Sequence, residues 1–234
     1  MDIKDKGAAQ MKTKSEKIVL VILLLLPLAA ASVMVFFLLP ERIPIHWNAA
    51  GKVNGWGSKY TFFILPLIIL VIGPIVEYLP RLSKKYKKIE RPLFHIEYGT
   101  LLFVNVIFAI VVFDTFSALH DVTAPASGLR YLPLALGFFF AFIGNILPKF
   151  RQNSVCGIRT PWTMKSEEVW FKTHRLGGRL WVVGGLFMAL AVFLVPDKSY
   201  MVLMFSVITI LVLLPVFYSY ILYRRIAAGH KNSL

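Results

Sequence analysis

The residues best suited to chemistry lie in one polar segment, residues 149–178, which reads KFRQNSVCGIRTPWTMKSEEVWFKTHRLGG. Adjacent carboxylates at Glu167 and Glu168, followed by Lys172, resemble sets that activate water in hydrolases. Cys156 and His174 are the residue types of a nucleophile and its base, eighteen residues apart. Neither set has an evident third group, and perturbed carboxylates need burial that a charged loop does not provide. We therefore expect no catalytic residue and no enzyme activity.

Metal binding is not expected either. A metal site needs several ligands that converge on one point. The five histidines are scattered over both predicted faces of the membrane: His46, His95, His120, His174 and His230. The sequence predicts no metal site and no cofactor.

The segments around this polar passage are long and apolar. The chain has 234 residues, 57% of them hydrophobic, and a mean hydropathy of +0.68. A helix needs roughly 20 apolar residues to cross the hydrocarbon core of a bilayer. Six segments qualify: 18–39, 61–79, 98–119, 131–148, 179–196 and 200–223. We predict an all-α membrane protein with six transmembrane helices.

The basic residues predict the orientation of this bundle. Of the 26 Lys and Arg residues, 21 fall in the two tails and in the second and fourth loops. Positive charge accumulates on the cytoplasmic side, so both termini should be cytoplasmic. The net charge of +14 is thus a topology signal that also suits anionic lipid, and direct binding to nucleic acid is not expected. A single cysteine excludes an intramolecular disulfide.

The predicted spans and loops divide the chain into five parts. Residues 1–17 form a disordered basic tail, and residues 18–80 a first helix hairpin with an outer loop at 40–60. A basic cytoplasmic loop and the third span occupy 81–130. Residues 131–223 hold the remaining spans and the polar segment, and 224–234 form a cytoplasmic tail.

Polar residues inside the predicted spans are few. Glu77 and Glu97 lie near cytoplasmic span ends, Asp114 lies toward an outer end, and Asn105 is near the middle of its span. Ionisable groups at the bilayer centre usually mark ion or proton routes. Their avoidance of the centre favours a role in stabilising the bundle over a conduction path.

The outer loop, residues 40–60, has the pattern of a short extended or hairpin-like excursion. Pro44 breaks helix, Ile43 and Ile45 alternate with polar neighbours, and turn formers follow at Gly51 and Asn54-Gly55. The aromatic residues of the loop suit the headgroup belt: Trp47, Trp56 and Tyr60.

The polar segment predicts a short interfacial cytoplasmic helix. Thr160 before Pro161 suits an N-cap followed by the first helical position, and Ser166 is a competing cap. Glu168 and Lys172 are spaced to form an i,i+4 pair. The Gly177-Gly178 pair is typical of a helix stop.

Two motifs resemble a known family. The run Gly157-Ile-Arg-Thr-Pro-Trp-Thr163 is followed by Glu168, Trp170, Lys172, His174, Arg175 and the glycine pair, with Asn145, Lys149 and Asn153 upstream. This pattern resembles the signature of the SdpI family of integral membrane proteins. The outer-loop run Ile43-Pro44-Ile45-His46-Trp47 is similar to the short domain of unknown function that precedes that signature.

The resemblance implies a role as an immunity protein and receptor in a bacterial plasma membrane. Family members protect a cell from a secreted antimicrobial peptide and, in the signalling case, hold a cytoplasmic transcriptional repressor at the membrane. Carried over by motif position, the expected ligand- or partner-binding residues are Arg159, Thr160, Pro161, Trp162, Glu168, Trp170, His174, Arg175, Ile43, Pro44, His46, Trp47 and Asn48. The alternatives are a small peptide transporter and an enzyme similar to intramembrane prenyl-protein proteases, which Glu167-Glu168 and Lys172 resemble with lysine in place of arginine.

Overall fold

The computed structural model describes residues 13–48, 50–78, 90–123, 126–196 and 199–231. The helices are α1 (Lys14–Val33), α2 (Ile64–Tyr78), α3 (Glu90–His120), α4 (Leu132–Ile146), α5 (Pro161–Lys165), α6 (Glu167–Ala191) and α7 (Tyr200–Lys231). Two strands, β1 (Arg42–Trp47) and β2 (Val53–Ser58), form an antiparallel pair between α1 and α2.

Within the part of the chain that the structure describes, four stretches are long and apolar enough to cross a membrane: Lys14–Leu38, Pro92–His120, Gly128–Lys149 and Tyr200–Ala228. The second predicted span corresponds to a shorter apolar helix, Lys59–Ile75, and residues 179–191 of the fifth form the second half of α6. The chain is a multi-pass membrane protein, and the count of six spans stays a prediction.

The first helix begins earlier than expected. Thr13 caps α1, because its hydroxyl accepts from the Glu16 N–H while the Glu16 carboxylate accepts from the Thr13 N–H. Helix therefore starts at Lys14, inside the segment predicted to be a disordered tail through residue 17. The part of that tail before residue 13 lies outside the described residues.

The strands confirm the hairpin expected in the outer loop. The turn lies at Gly51, whose φ of 73° is the left-handed region that favours glycine. Asn54-Gly55 instead lies within β2, opposite a register irregularity at His46. Ile43 is completely buried, in an apolar cluster with Val35 and Phe62. The hairpin is thus packed onto the ends of the helices.

The hairpin and the polar segment mark opposite ends of the bundle. At the hairpin end, the Ala126 N–H donates to the Gly51 carbonyl and so joins the α3–α4 connection to the turn. At the polar-segment end, Leu93 near the start of α3 packs with Phe150 and Trp170.

Glycines allow α4 and α6 to pack at a short distance from each other. A Cβ on Gly185 would lie 2.4 Å from the Gly137 carbonyl oxygen, and one on Gly144 would lie 2.7 Å from the Gly178 carbonyl oxygen. The predicted helix stop at Gly177-Gly178 is wrong, since α6 continues through both residues to Ala191. The two glycines do not end the helix. They allow neighbouring elements to pack close to α6, as small residues do at contacts between membrane helices.

Candidate functional site

Two successive caps shape the polar segment. The Thr160 hydroxyl accepts from the Thr163 N–H at 3.1 Å, and the Thr163 hydroxyl accepts from the Thr160 N–H at 2.9 Å. Pro161 occupies the first turn, where its missing N–H costs nothing. The Ser166 hydroxyl then accepts from the Val169 N–H and caps α6. Both caps considered from the sequence are therefore present, one for each helix.

Amide side chains hold the loop that precedes α5. The Asn153 carbonyl oxygen accepts from the backbone N–H groups of Val155 and Cys156, at 2.8 and 2.9 Å. The Gln152 amide donates to the Thr163 carbonyl at 2.6 Å. The Asn153 bonds fix the conformation of the loop, and the Gln152 bond ties it to α5.

His174 joins the loop to α6 through both of its ring nitrogens. The Ile158 N–H donates to Nε2 at 3.0 Å, so Nε2 is the acceptor and Nδ1 carries the proton. Nδ1 then donates to the Trp170 carbonyl at 2.8 Å. Burial lowers the pKa of His174 to about 4, although the bond to the Trp170 carbonyl acts in the opposite direction. The imidazole is neutral at neutral pH.

Gly157 lets the backbone cross close over this pair of rings. Its φ is 118°, and a Cβ there would lie 2.4 Å from His174 Nε2. The rings of Trp170 and His174 stack with centroids 4.0 Å apart. The Trp170 indole N–H donates to the Phe150 carbonyl at 2.9 Å, which anchors the start of the loop.

The polar segment also packs on the last helix. The hydroxyl oxygens of Thr160 and Ser219 are 3.1 Å apart, and the rings of Trp162 and Tyr220 have centroids 5.1 Å apart. Ser219 and Tyr220 were not among the residues predicted from the sequence. A polar residue within a mostly apolar stretch, such as Ser219, is the sequence signal that could have found this contact.

The predicted partner-binding residues of the polar segment divide by exposure. Arg159, Pro161, Glu168 and Arg175 are exposed, and Trp162 is half-buried. Thr160, Trp170 and His174 have 7%, 2% and 1% of their surface exposed. The polar atoms of these three side chains are bonded inside the protein, and their part in binding a partner stays a prediction.

The two sets considered for catalysis have ordinary structural roles. Glu168 and Lys172 form an exposed ion pair at 2.6 Å, and the hydrogen bond to Glu168 raises the pKa of Lys172. Burial raises the pKa of Cys156 to about 12, against the opposing charge of Arg159. A thiol held protonated is a poor nucleophile. The His174 nitrogens, moreover, already bond to backbone groups.

At the hairpin end, too, some of the predicted binding residues are buried and others are exposed. Ile43 and Pro44 are buried, Trp47 is half-buried, and His46 and Asn48 are exposed. His46 Nδ1 lies 2.5 Å from the Asn54 side-chain oxygen.

The turn of the hairpin is held by Asn48. Its side-chain oxygen accepts from the backbone N–H groups of Ala50 and Lys52, at 2.9 and 3.0 Å. Within the described ranges, no group of three or more His, Cys, Asp or Glu residues could hold a metal ion.

A bundle of apolar helices with a structured polar element at each end defines a multi-pass protein of the cell membrane. Residues 149–219 match the SdpI/YfhL protein family, and residues 22–70 match a domain of unknown function, DUF1648. These matches confirm the resemblance to the SdpI family on both motifs.

A curated relative extends the likeness over most of the chain. The chain is 26% identical over 185 residues to the immunity protein SdpI of Bacillus subtilis (strain 168), an alignment that covers 78% of this chain and 83% of the relative. No solved structure matches the chain.

Proposed function

We propose that this chain is a membrane immunity and receptor protein. It protects the cell from a secreted antimicrobial peptide that meets the hairpin, and its polar segment recruits a cytoplasmic protein, a transcriptional repressor in the signalling case. The proposal rests on the arrangement of the two matched motifs, which lie at opposite ends of one helix bundle. Each motif has exposed side chains on a backbone that buried contacts and hydrogen bonds hold in place. The likeness to an immunity protein supports the role.

The hairpin offers the peptide a mixed apolar and polar surface. Ile45 and Trp56 have 47% and 40% of their surface exposed. His46 is exposed on β1, the strand that Ile43 anchors in the core. Aromatic and aliphatic side chains held on a fixed backbone bury area at low entropic cost. We assign this surface to the peptide because the distribution of basic residues favours an orientation with the hairpin outside the cell.

The polar segment offers the cytoplasmic partner a basic surface. Arg151, Arg159, Lys165 and Arg175 are exposed around the half-buried Trp162. Such a surface complements an acidic protein, and Arg and Trp are enriched among residues that dominate binding energy. Thr160, Trp170 and His174 contribute by holding the exposed residues in place.

A survival assay tests the proposal. A sensitive strain that expresses the chain should survive culture supernatant of a Bacillus that secretes killing peptides. Trp162→Ala combined with Arg159→Ala should abolish protection or signalling while membrane insertion is retained. The matched control is Met164→Ala with Phe171→Ala, which removes two exposed side chains of the polar segment that are not part of the basic surface and should protect like the parent. Full protection by the Trp162 and Arg159 pair would contradict the role of the polar segment.

Labelled peptide separates this function from transport. A receptor retains the peptide at the membrane, whereas an exporter lowers the amount associated with the cell and depends on an energy source. Energy-dependent loss of labelled peptide from cells that carry the chain would overturn the receptor assignment.

A further inference from the structure

A proline interrupts the last helix next to the polar segment. Pro215 lies inside α7 and has no N–H, so the carbonyl of Leu211 loses its helical donor. The Trp181 indole N–H of α6 donates to that carbonyl at 2.8 Å. We call this missing backbone bond and its indole substitute the Pro215 break.

The first helix contains the same arrangement. Pro27 lies inside α1 and leaves the carbonyl of Leu23 without its donor. The Asn105 side-chain amide of α3 donates to that carbonyl at 3.0 Å. Lipid supplies no donor for a freed carbonyl, and a side chain of a neighbouring helix can supply one. At both Pro27 and Pro215 the donor comes from the helix packed alongside.

The indole of Trp181 is held in place on more than one side. Its ring packs edge-on against Phe140 of α4, with centroids 5.2 Å apart. Gly184 brings the helices close, since a Cβ there would lie 2.6 Å from Leu211 Cδ2. Leu211 is buried, so the freed carbonyl lies at a packed helix contact.

The Pro215 break adjoins the polar segment. A Cβ on Gly177 would lie 2.6 Å from Ile158 Cδ1 and 3.6 Å from Pro215 Cβ, so Ile158 and Pro215 both approach the same glycine of α6. Beyond the break, the next turn of α7 contacts Thr160 through Ser219 and Trp162 through Tyr220. The direction of α7 after Pro215 therefore decides where it meets the polar segment.

We propose that Trp181 is a positioning residue that sets this direction, and that the Pro215 break is the hinge through which a change in the bundle reaches the polar segment. A helix that lacks one backbone bond bends there most easily. The indole bond opposes bending as long as α6 and α7 stay in register. The hinge acts on the polar segment, the surface that the proposed function assigns to the cytoplasmic protein, but its test requires neither peptide nor partner.

A double-mutant cycle tests the bond. In the full chain in lipid nanodiscs, Trp181→Phe should lower the Tm by about 2–6 °C, the size expected for one interhelical hydrogen bond in a chain of this length. Pro215→Ala restores a backbone N–H that bonds to the Leu211 carbonyl itself. In the Pro215→Ala background, Trp181→Phe should therefore lower the Tm by less than a third as much. Equal shifts in the two backgrounds would overturn the assignment of the indole.

Pro133→Ala is the matched control. Pro133 lies in the first turn of α4, where the missing N–H frees no carbonyl. In its background, Trp181→Phe should lower the Tm by the full amount. A reduced shift there would also overturn the assignment, because the coupling would then not depend on the freed carbonyl.

A crosslink tests the effect on position. With Cys156→Ser as background, Thr160→Cys and Ser219→Cys place thiols where two hydroxyl oxygens lie 3.1 Å apart, close enough for a disulfide. Adding Trp181→Phe should lower the yield of the oxidised crosslink several-fold, and adding Pro133→Ala should leave it unchanged. An unchanged yield with Trp181→Phe would show that the indole stabilises the bundle without positioning α7, which contradicts the proposal.

Discussion

The lowered pKa of His174 makes the stability of the folded protein depend on pH. Its pKa is about 4 in the folded protein and about 6.5 in an unfolded chain, so the unfolded state binds more protons between these values. Stability from this group is complete above pH 6.5 and is lost as the pH falls toward 4. The loss approaches about 3 kcal/mol as an upper bound, at 1.36 kcal/mol for each pKa unit.

Unfolding at pH 7.5 and pH 5 checks this prediction. His174→Phe keeps a ring on Trp170 but loses both hydrogen bonds, so it should be less stable at pH 7.5 and should show a smaller fall at pH 5. His120→Ala removes an exposed histidine and should keep the parent's pH dependence. An undiminished fall in His174→Phe would assign the pH dependence to another group.

At the scale of the elements, the α4–α6 contact depends on which atoms face each glycine. A Cβ on Gly185 would meet the Gly137 carbonyl oxygen at 2.4 Å, and backbone cannot move without separating the helices. On the adjacent Gly184, a Cβ would meet the end of the Leu211 side chain, which can turn aside. We expect Gly185→Ala to cost about 1–3 kcal/mol of unfolding free energy, as overpacking does, and Gly184→Ala to cost less.

Unfolding in detergent of increasing denaturing strength measures both variants. Equal losses for Gly184→Ala and Gly185→Ala would mean that the helices adjust as easily as a side chain does. In that case the glycines would not determine the helix separation.

At the scale of the whole molecule, the proposed function requires the hairpin outside the cell and the polar segment inside. In a Cys156→Ser background, Lys52→Cys lies by the hairpin turn and Lys165→Cys lies on α5, both at exposed positions. We expect a membrane-impermeant thiol reagent to label position 52 in intact cells and position 165 only after permeabilisation. Labelling of position 165 from outside would reverse the topology and reject both binding assignments.

Local chemistry made much of the site predictable from sequence. The Thr160-Pro161 and Ser166 caps, the Glu168–Lys172 pair and the hairpin each depend on residues a few positions apart. The segment 149–219 also matches the family that its motif indicated. Such features need little information about distant parts of the chain.

Features that depend on distant residues were missed. Gly177-Gly178 has the local pattern of a helix stop, yet α6 continues because Gly144 and Pro148 of the α4 region and Ile158 pack against the pair. Trp170 and His174 look like interface residues in the sequence but are buried by the loop at Phe150 and Ile158. The sequence around Trp181 does not indicate its role, because its hydrogen-bond acceptor, the Leu211 carbonyl, lies 30 residues further along the chain.

The sequence by itself determined the membrane class, the family resemblance, the caps and the expected orientation, because hydrophobic length, charge and short-range hydrogen bonding are properties of neighbouring residues. Only the tertiary structure decided which motif residues face outward and which hold the scaffold. It also decided how the carbonyls freed by Pro27 and Pro215 find donors. Burial and hydrogen bonding between helices depend on residues far apart in the chain, and no local pattern specifies them.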